Sequence, residues 1–187
     1  IVRVTDALVR YDLDLAAEII EAEAESGASA RELEERCYRL LALQAPVASD
    51  LRQIVALIKM IFDIGRAGEL VVNIAKATTK VGESDISPSM LELFAEMGKQ
   101  ANLLFIAALD ALRSNDVEKA NILDDLDSRL DALQKQVIQT ILEQHGGGKA
   151  DLRLAIREAM VARFYERIGD HAVQIGERVR YMLTGMV

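Results

Sequence analysis

Apolar residues recur every three or four positions through most of the chain, which is the spacing of one buried helix face. The clearest series lies near the C-terminal end and comprises Ile156, Met160, Phe164, Ile168, Ile175, Val179 and Met182. Extended runs of Val, Thr and aromatic residues are missing, and the chain has two prolines and no tryptophan. The pattern therefore predicts an all-α protein.

Breaks in this periodicity divide the chain into six predicted helices. They cover residues 1–10, 12–43, 50–79, 89–113, 116–145 and 150–184. Pro46, the polar stretch 81–88 and the glycines 146–148 interrupt the pattern as turns and loops do.

Several polar residues mark where these helices begin or bend. Asp12 and Asp116 are suitable N-cap residues, and Ser49 or Asp50 is expected to cap the third helix. Residues 26–29 are weak helix formers, so we expect the second helix to bend there.

The two halves of the chain resemble each other. Residues 6–8 (Asp-Ala-Leu) recur 104 residues later at 110–112, and residues 50–52 (Asp-Leu-Arg) recur 101 residues later at 151–153. The shorter second offset means that the second half lost three residues, most simply near the turn between its last two helices. The repetition predicts two pseudo-symmetric three-helix bundles. Their expected bounds are residues 1–80, N-terminally incomplete because the chain begins at Ile1, and 88–187.

Two pairs of acidic residues are the main candidates for chemistry. Asp127 and Asp131 are four apart on the fifth helix, and Glu166 and Asp170 are four apart on the sixth. Each pair lies on one helix face, and the short glycine turn predicts that the two helices pack antiparallel. Asp127 and Asp170 are equidistant from that turn, as are Asp131 and Glu166, so all four carboxylates should lie at one level. The alternative is that each pair is an ordinary solvated face.

Four clustered carboxylates repel one another unless a cation neutralises them. Oxygen ligands suit Fe, Mn or Mg, and Zn is retained although no Cys or His is placed to favour it. In the first half, the offsets place Glu23 and Gly27 opposite Gly65 and Glu69. Asp63 is a possible substitute ligand there, and we expect this second site to be weak or empty.

Composition and charge exclude several classes of function. The net charge of −8 and the scattered basic residues argue against nucleic acid as the main partner. The single cysteine, Cys37, is expected to be a buried apolar residue in a reducing compartment, which favours the cytoplasm. No apolar run is long enough to span a bilayer, so membrane association would be peripheral at most.

The catalytic alternatives find little support in the residues. A di-metal carboxylate enzyme of the ferritin type uses Glu-x-x-His pairs, but Leu142 and Ile168 precede His145 and His171 by three positions. Sequence patterns for a nucleophile with its base, a phosphate-binding loop or a dinucleotide site are also missing. We therefore expect a protein that binds partners rather than an enzyme, and a surface or hydrogen-bonded role for His171.

Two segments resemble the PhoU family of phosphate-signalling regulators. They are LQAPVASDLR at residues 43–52 and ERIGDHA at residues 166–172. The resemblance extends over nearly the whole chain and implies two pseudo-symmetric three-helix bundles. It also implies a metal site on two helices of a repeat, which here corresponds to Asp127, Asp131, Glu166 and Asp170.

The functional role that the resemblance implies is regulatory. It is that of a cytoplasmic negative regulator of phosphate uptake and phosphate-regulon signalling. Such a protein connects the ATPase of the ABC phosphate importer to a sensor histidine kinase. A PhoU-like regulatory domain of another transporter system is the alternative, and homodimer formation is left open.

Overall fold

The computed structural model describes residues 1–82, 85–145 and 152–186, with side chains for 1–22, 27–82, 85–144 and 152–186. Within these ranges every regular element is an α-helix, so the predicted all-α class is confirmed. The helices are α1 Val2–Arg10, α2 Leu13–Glu21, α3 Glu23–Gln44, α4 Ala48–Thr78, α5 Pro88–Ser114, α6 Val117–Asn121, α7 Leu123–His145 and α8 Leu152–Thr184.

Two predicted helices are each divided into two. The predicted second helix breaks at Ala22, the fifth breaks at Ile122, and the expected bend at residues 26–29 stays a prediction. The expected cap of the third helix is also wrong, because Val47 is the N-cap residue of α4 and makes no side-chain cap hydrogen bond. The apolar period continues through both breaks, which explains why the sequence pattern does not reveal them.

The turn that follows α1 is repeated after α5. Tyr11 and Asn115 both have left-handed backbone angles, with φ of 54° and 50°. The next residue caps the following helix in each case: Asp12 accepts from the N–H of Leu15 at 2.9 Å, and Asp116 accepts from Glu118 at 2.9 Å. These paired turns, 104 residues apart, bear out the pseudo-symmetry of the two halves.

The halves share their hydrophobic core. The long helices α4 and α8 make the most extensive contact in the molecule, and α1 packs on both α4 and α5. Buried apolar residues of one cluster come from both halves, among them Val4, Ile74, Phe94 and Ile168. The division of the chain into domains at residues 80 and 88 therefore stays a prediction, since the two repeats are not packed as separate cores.

The exposure of Cys37 and the apolar length of the helices were also expected from the sequence. Cys37 is 8% exposed, as expected for a small apolar residue. Among the described residues, no helix has an apolar stretch of the length and purity needed to cross a membrane.

Candidate metal centre

The structure brings the four predicted carboxylates of the second half together. Asp127 and Asp131 lie one turn apart on α7, and Glu166 and Asp170 lie one turn apart on α8. The charge of Glu166 interacts with those of the other three, and Asp127 interacts with Asp131 and Asp170. The common level inferred from the glycine turn is therefore correct.

Gly169 is the residue that allows the close approach of α7 and α8 at this level. A Cβ atom at this position would lie 2.6 Å from Leu130 Cδ2 and 2.7 Å from Asp127 Oδ1. A side chain here would require the Leu130 and Asp127 side chains to move or α7 to shift away from α8. The glycine in the ERIGDHA segment thus places the Asp127 carboxylate directly against α8.

The site is partly withdrawn from solvent. Glu166 is 7% exposed, while Asp127, Asp131 and Asp170 are half-buried. Asp127 Oδ1 and Glu166 Oε2 are buried and accept no hydrogen bond. Buried carboxylate oxygens without donors are costly, and a hard cation would satisfy both.

Burial and mutual repulsion make these groups reluctant to ionise. The pKa of Asp127 is raised to about 6, chiefly by burial and then by the charges of Asp131, Asp170 and Asp124. Burial and then the charge of Asp170 also raise the pKa of Glu166, and the charge of Arg163 partly opposes this. The electrostatics therefore favour either protonation or a bound cation.

The side chains are not preassembled around one point. Arg163 Nη1 donates a hydrogen bond to Glu166 Oε1 and forms an ion pair with it. Within the described part of the chain, no three Asp, Glu, His or Cys side chains are grouped so that they could hold a metal ion as they stand. The donor chemistry suits a hard cation, but ligation would require the carboxylates to rotate, so the metal site stays a prediction.

The residues of the first half that correspond to the four carboxylates differ from those that the sequence offsets indicate. Helices α3 and α7 begin at residues 23 and 123, because α2 is nine residues long and α6 only five. The register within these helices is therefore 100. Four residues were lost before the site and one was gained after it, which gives the net loss of three. Gly27 and Arg31 are the counterparts of Asp127 and Asp131, and the earlier assignment of Glu23 and Gly27 to these positions is corrected.

This register leaves the first half with poor cation ligands. Gly27, Arg31, Gly65 and Glu69 all line one open groove of about 690 Å³ between α3 and α4. Of the four positions equivalent to the carboxylates of the second half, Glu69 alone is acidic, and it is exposed and ion-paired with Arg66. Among the described side chains, Glu34 also lines the groove. Glu23 lies outside the side chains that the structure describes.

Asp63 does not join this groove. It is 3% exposed and accepts a hydrogen bond from Nδ1–H of His171 at 3.2 Å. Six residues along an α-helix correspond to a rotation of about 120°, so Asp63 and Glu69 occupy different faces of α4. Asp63 therefore does not replace the missing ligands, and His171 is a buried, hydrogen-bonded residue.

The sequence patterns did not reveal the roles of three residues, two at the carboxylates of the second half and one in the groove of the first half. They are Arg163, Arg31 and Gly169. Arg163 could have been noticed from its spacing of three to Glu166, which is within ion-pair reach on a helix. Arg31 required the position of the break at Ala22, and Gly169 required the distance between α7 and α8, neither of which a single sequence reveals.

Comparisons with known proteins identify the family. The PhoU domain model matches residues 1–78 and 94–179. The phosphate-specific transport system accessory protein PhoU homolog 1 of Mycobacterium tuberculosis is 34% identical over 99% of this chain and 83% of its own length. PhoU homolog 2 of the same organism is 36% identical over 98% of this chain and 85% of its own.

Solved structures agree with the sequence relatives. The crystal structure of PhoU from Pseudomonas aeruginosa matches with a TM-score of 0.92 and 28% identity over 98% of this chain and 88% of that chain. The phosphate transport system regulatory protein PhoU from Streptococcus pneumoniae matches with a TM-score of 0.89 and 25% identity, over 98% and 86%. Since the family model and the relatives match both halves, including the segments that carry the four carboxylates, the chain belongs to the PhoU family.

Proposed function

We propose that this protein is a regulatory accessory protein of phosphate transport that acts by binding partners rather than by catalysis. The observation that carries the proposal is family membership across both repeats, together with relatives that are named phosphate-specific transport system accessory proteins. The long helices α4 and α8, which pack against each other along the shared core, make an extended scaffold that suits such a role.

In finer detail, we propose a cytoplasmic negative regulator of phosphate uptake and phosphate-regulon signalling. Its partners are the ATPase of the ABC phosphate importer and a sensor histidine kinase. The protein restrains kinase signalling when phosphate is plentiful. A homodimer is compatible with this role and stays a prediction.

The four carboxylates of the second half are proposed to bind one or more hard cations, with Asp127, Asp131, Glu166 and Asp170 as ligands. A cation would neutralise charges that otherwise repel one another across α7 and α8. It would thereby hold the two helices together at the level of Gly169. Fe, Mn and Mg are the ions that the oxygen ligands favour, and Zn is less favoured.

The regulatory role is tested in the native host. Deletion of the gene should raise phosphate uptake and the expression of phosphate-starvation genes in phosphate-rich medium, and the wild-type gene should restore both. The tagged protein should retain the importer ATPase or the sensor kinase from lysates made at high and low phosphate. Normal phosphate responses in the deletion strain, with no capture of either partner at any phosphate level, would contradict the proposal.

A further inference from the structure

A cluster of basic side chains lies between α4 and α8, away from the carboxylates. The two helices run antiparallel, since Arg52 near the start of α4 contacts Gly185 beyond the end of α8, and Asp63 meets His171 further along. Between these levels is a cavity of about 200 Å³. It is lined by Lys59, Glu177, Arg178, Arg180 and Tyr181.

The basic side chains of this cavity are poorly paired within the part of the chain that the structure describes. Lys59, Arg178 and Arg180 form no ion pair with any described carboxylate, although Glu177 is one of the lining residues. Arg180 has only a long hydrogen bond to Asn121, at 3.5 Å. The Nε atom of Arg178 is buried and has no hydrogen-bond acceptor. A buried donor without an acceptor is costly, and like charges repel one another, so the arrangement favours an external anion.

The first half does not repeat the arginines of this cluster, although Lys76 and Lys80 are the counterparts of Glu177 and Tyr181. With the offset of 101 that relates α4 to α8, the counterparts of Lys59, Arg178 and Arg180 are Met160, Ala77 and Thr79. The pseudo-symmetric position is therefore without arginines. Residues 178–180 precede the last turn of α8, and Lys59 lies in the middle of α4, so the helix dipole does not explain the cluster.

We propose that this cavity binds a phosphate-type oxyanion. The guanidinium group of Arg178 offers donors in the fork geometry that matches phosphate oxygens, while Lys59 and Arg180 supply additional positive charge. A cavity of about 200 Å³ is large enough for a single phosphate group. The phosphate group is that of free inorganic phosphate or of a lipid headgroup, which offer the same chemistry.

The inference does not depend on the proposed partners or on the metal site. It concerns a different surface and can be measured with the purified chain alone. If free phosphate is the ligand, the protein senses the ion directly; if a lipid phosphate is the ligand, the cluster holds the protein at a membrane surface.

Titration calorimetry of the full chain with inorganic phosphate, and sedimentation with phosphatidylcholine vesicles with and without phosphatidic acid, test the proposal. Saturable binding is expected in at least one arm, and the arm that binds identifies the source of the phosphate group. Arg178→Gln should weaken that binding by about tenfold or more, since a hydrogen bond to a charged group is lost. Raising the NaCl concentration should weaken it as well.

Arg10→Gln provides the matched control, because Arg10 is exposed at the end of α1 and the same charge is removed. It should leave binding unchanged. Lys59→Gln, at an exposed position, should also weaken binding and remains informative if Arg178→Gln does not fold. Absence of saturable binding in both arms, or equal binding by wild type, Lys59→Gln and Arg178→Gln, would overturn the proposal.

Discussion

The hydrogen bond between His171 Nδ1 and Asp63 Oδ1, 3.2 Å long, joins α8 of the second half to α4 of the first. Both side chains are buried, with 7% and 3% of their surface exposed, and Asp63 Oδ2 has no hydrogen-bond partner. The pair fixes the axial register of the two longest helices. It explains why Asp63 does not act as a ligand of the first-half site, and it agrees with the hydrogen-bonded role expected for His171.

Removal of one partner from this pair should destabilise the protein. We expect Asp63→Ala to lower the free energy of unfolding by about 2 kcal/mol, because the buried imidazole loses its acceptor. His171→Ala should have a similar effect, and the double variant should lose less than the two single effects combined, with a coupling of about 1 kcal/mol. Urea unfolding measures all four proteins, and strictly additive effects would show that the pair contributes no interaction.

Gly68 of α4 and Gly169 of α8 occupy equivalent positions, but their replacement by alanine should change the stability of the protein in opposite directions. Gly169→Ala places a methyl group 2.6 Å from Leu130 Cδ2, so it should cost about 1–3 kcal/mol of stability through overpacking. Gly68→Ala meets no atom of the described residues within 4 Å, so it should gain up to about 1 kcal/mol from helix propensity. Thermal unfolding of the two variants tests this contrast. Destabilisation of both would mean that side chains fill the groove beside Gly68.

The raised pKa of Asp127, about 6, predicts a pH-dependent stability of the metal-free protein. Since the folded protein holds this proton more tightly than the unfolded chain, its stability falls as pH rises from about 4 to 6. Asp127→Asn removes the penalty, so the variant should be more stable than wild type above pH 6. After allowance for solvent screening, we expect a gain of about 1 kcal/mol at pH 7.5 and little difference at pH 4.

Denaturant unfolding in the presence of a chelator measures this difference at each pH. Glu92→Gln, an exposed position on α5, is the control and should follow wild type at both pH values. If Asp127→Asn is less stable than wild type at pH 7.5, the prediction is wrong, because the folded protein then stabilises the ionised carboxylate of Asp127.

The two halves should differ in metal content. Asp170→Asn should lower the amount of bound cation per chain much more than Glu69→Gln does. The reason is that the other equivalent positions around Glu69 are Gly27, Arg31 and Gly65 rather than three further acids. Elemental analysis of protein purified without chelators gives the stoichiometry. Equal losses in the two variants would refute the asymmetry, and wild-type protein without metal near neutral pH would refute the site.

Arg163 should compete with the cation for Glu166. It donates to Glu166 Oε1, so a metal ion must displace it or share the carboxylate. Arg163→Gln is therefore expected to raise the affinity for a divalent cation such as Mn²⁺ several-fold. Arg167→Gln removes the same charge one turn away, from an exposed residue of α8, and should have a smaller effect. Calorimetric titration with Mn²⁺ compares the affinities of the two variants. A lower affinity in Arg163→Gln than in wild type would mean that Arg163 helps to hold the cation ligands in place.

The sequence alone was sufficient for the all-α class, the internal duplication and the common level of four carboxylates. Helix class follows from apolar spacing, which is local along the chain. The shared level of Asp127, Asp131, Glu166 and Asp170 follows from their distances to one glycine turn, because antiparallel helices rise at equal rates from the turn that joins them. The family resemblance rested on two short segments and proved correct over nearly the whole chain.

Only the tertiary structure determined which side chains these acids meet. The breaks at Ala22 and Ile122 shift the register of α3, so that Arg31 lies where the second half has Asp131. The contact of Asp63 with His171 joins residues 108 positions apart, beyond the reach of any helical period. Such contacts depend on how helices rotate and approach when their apolar faces pack together, and this is decided by the volume of the whole core rather than by local spacing.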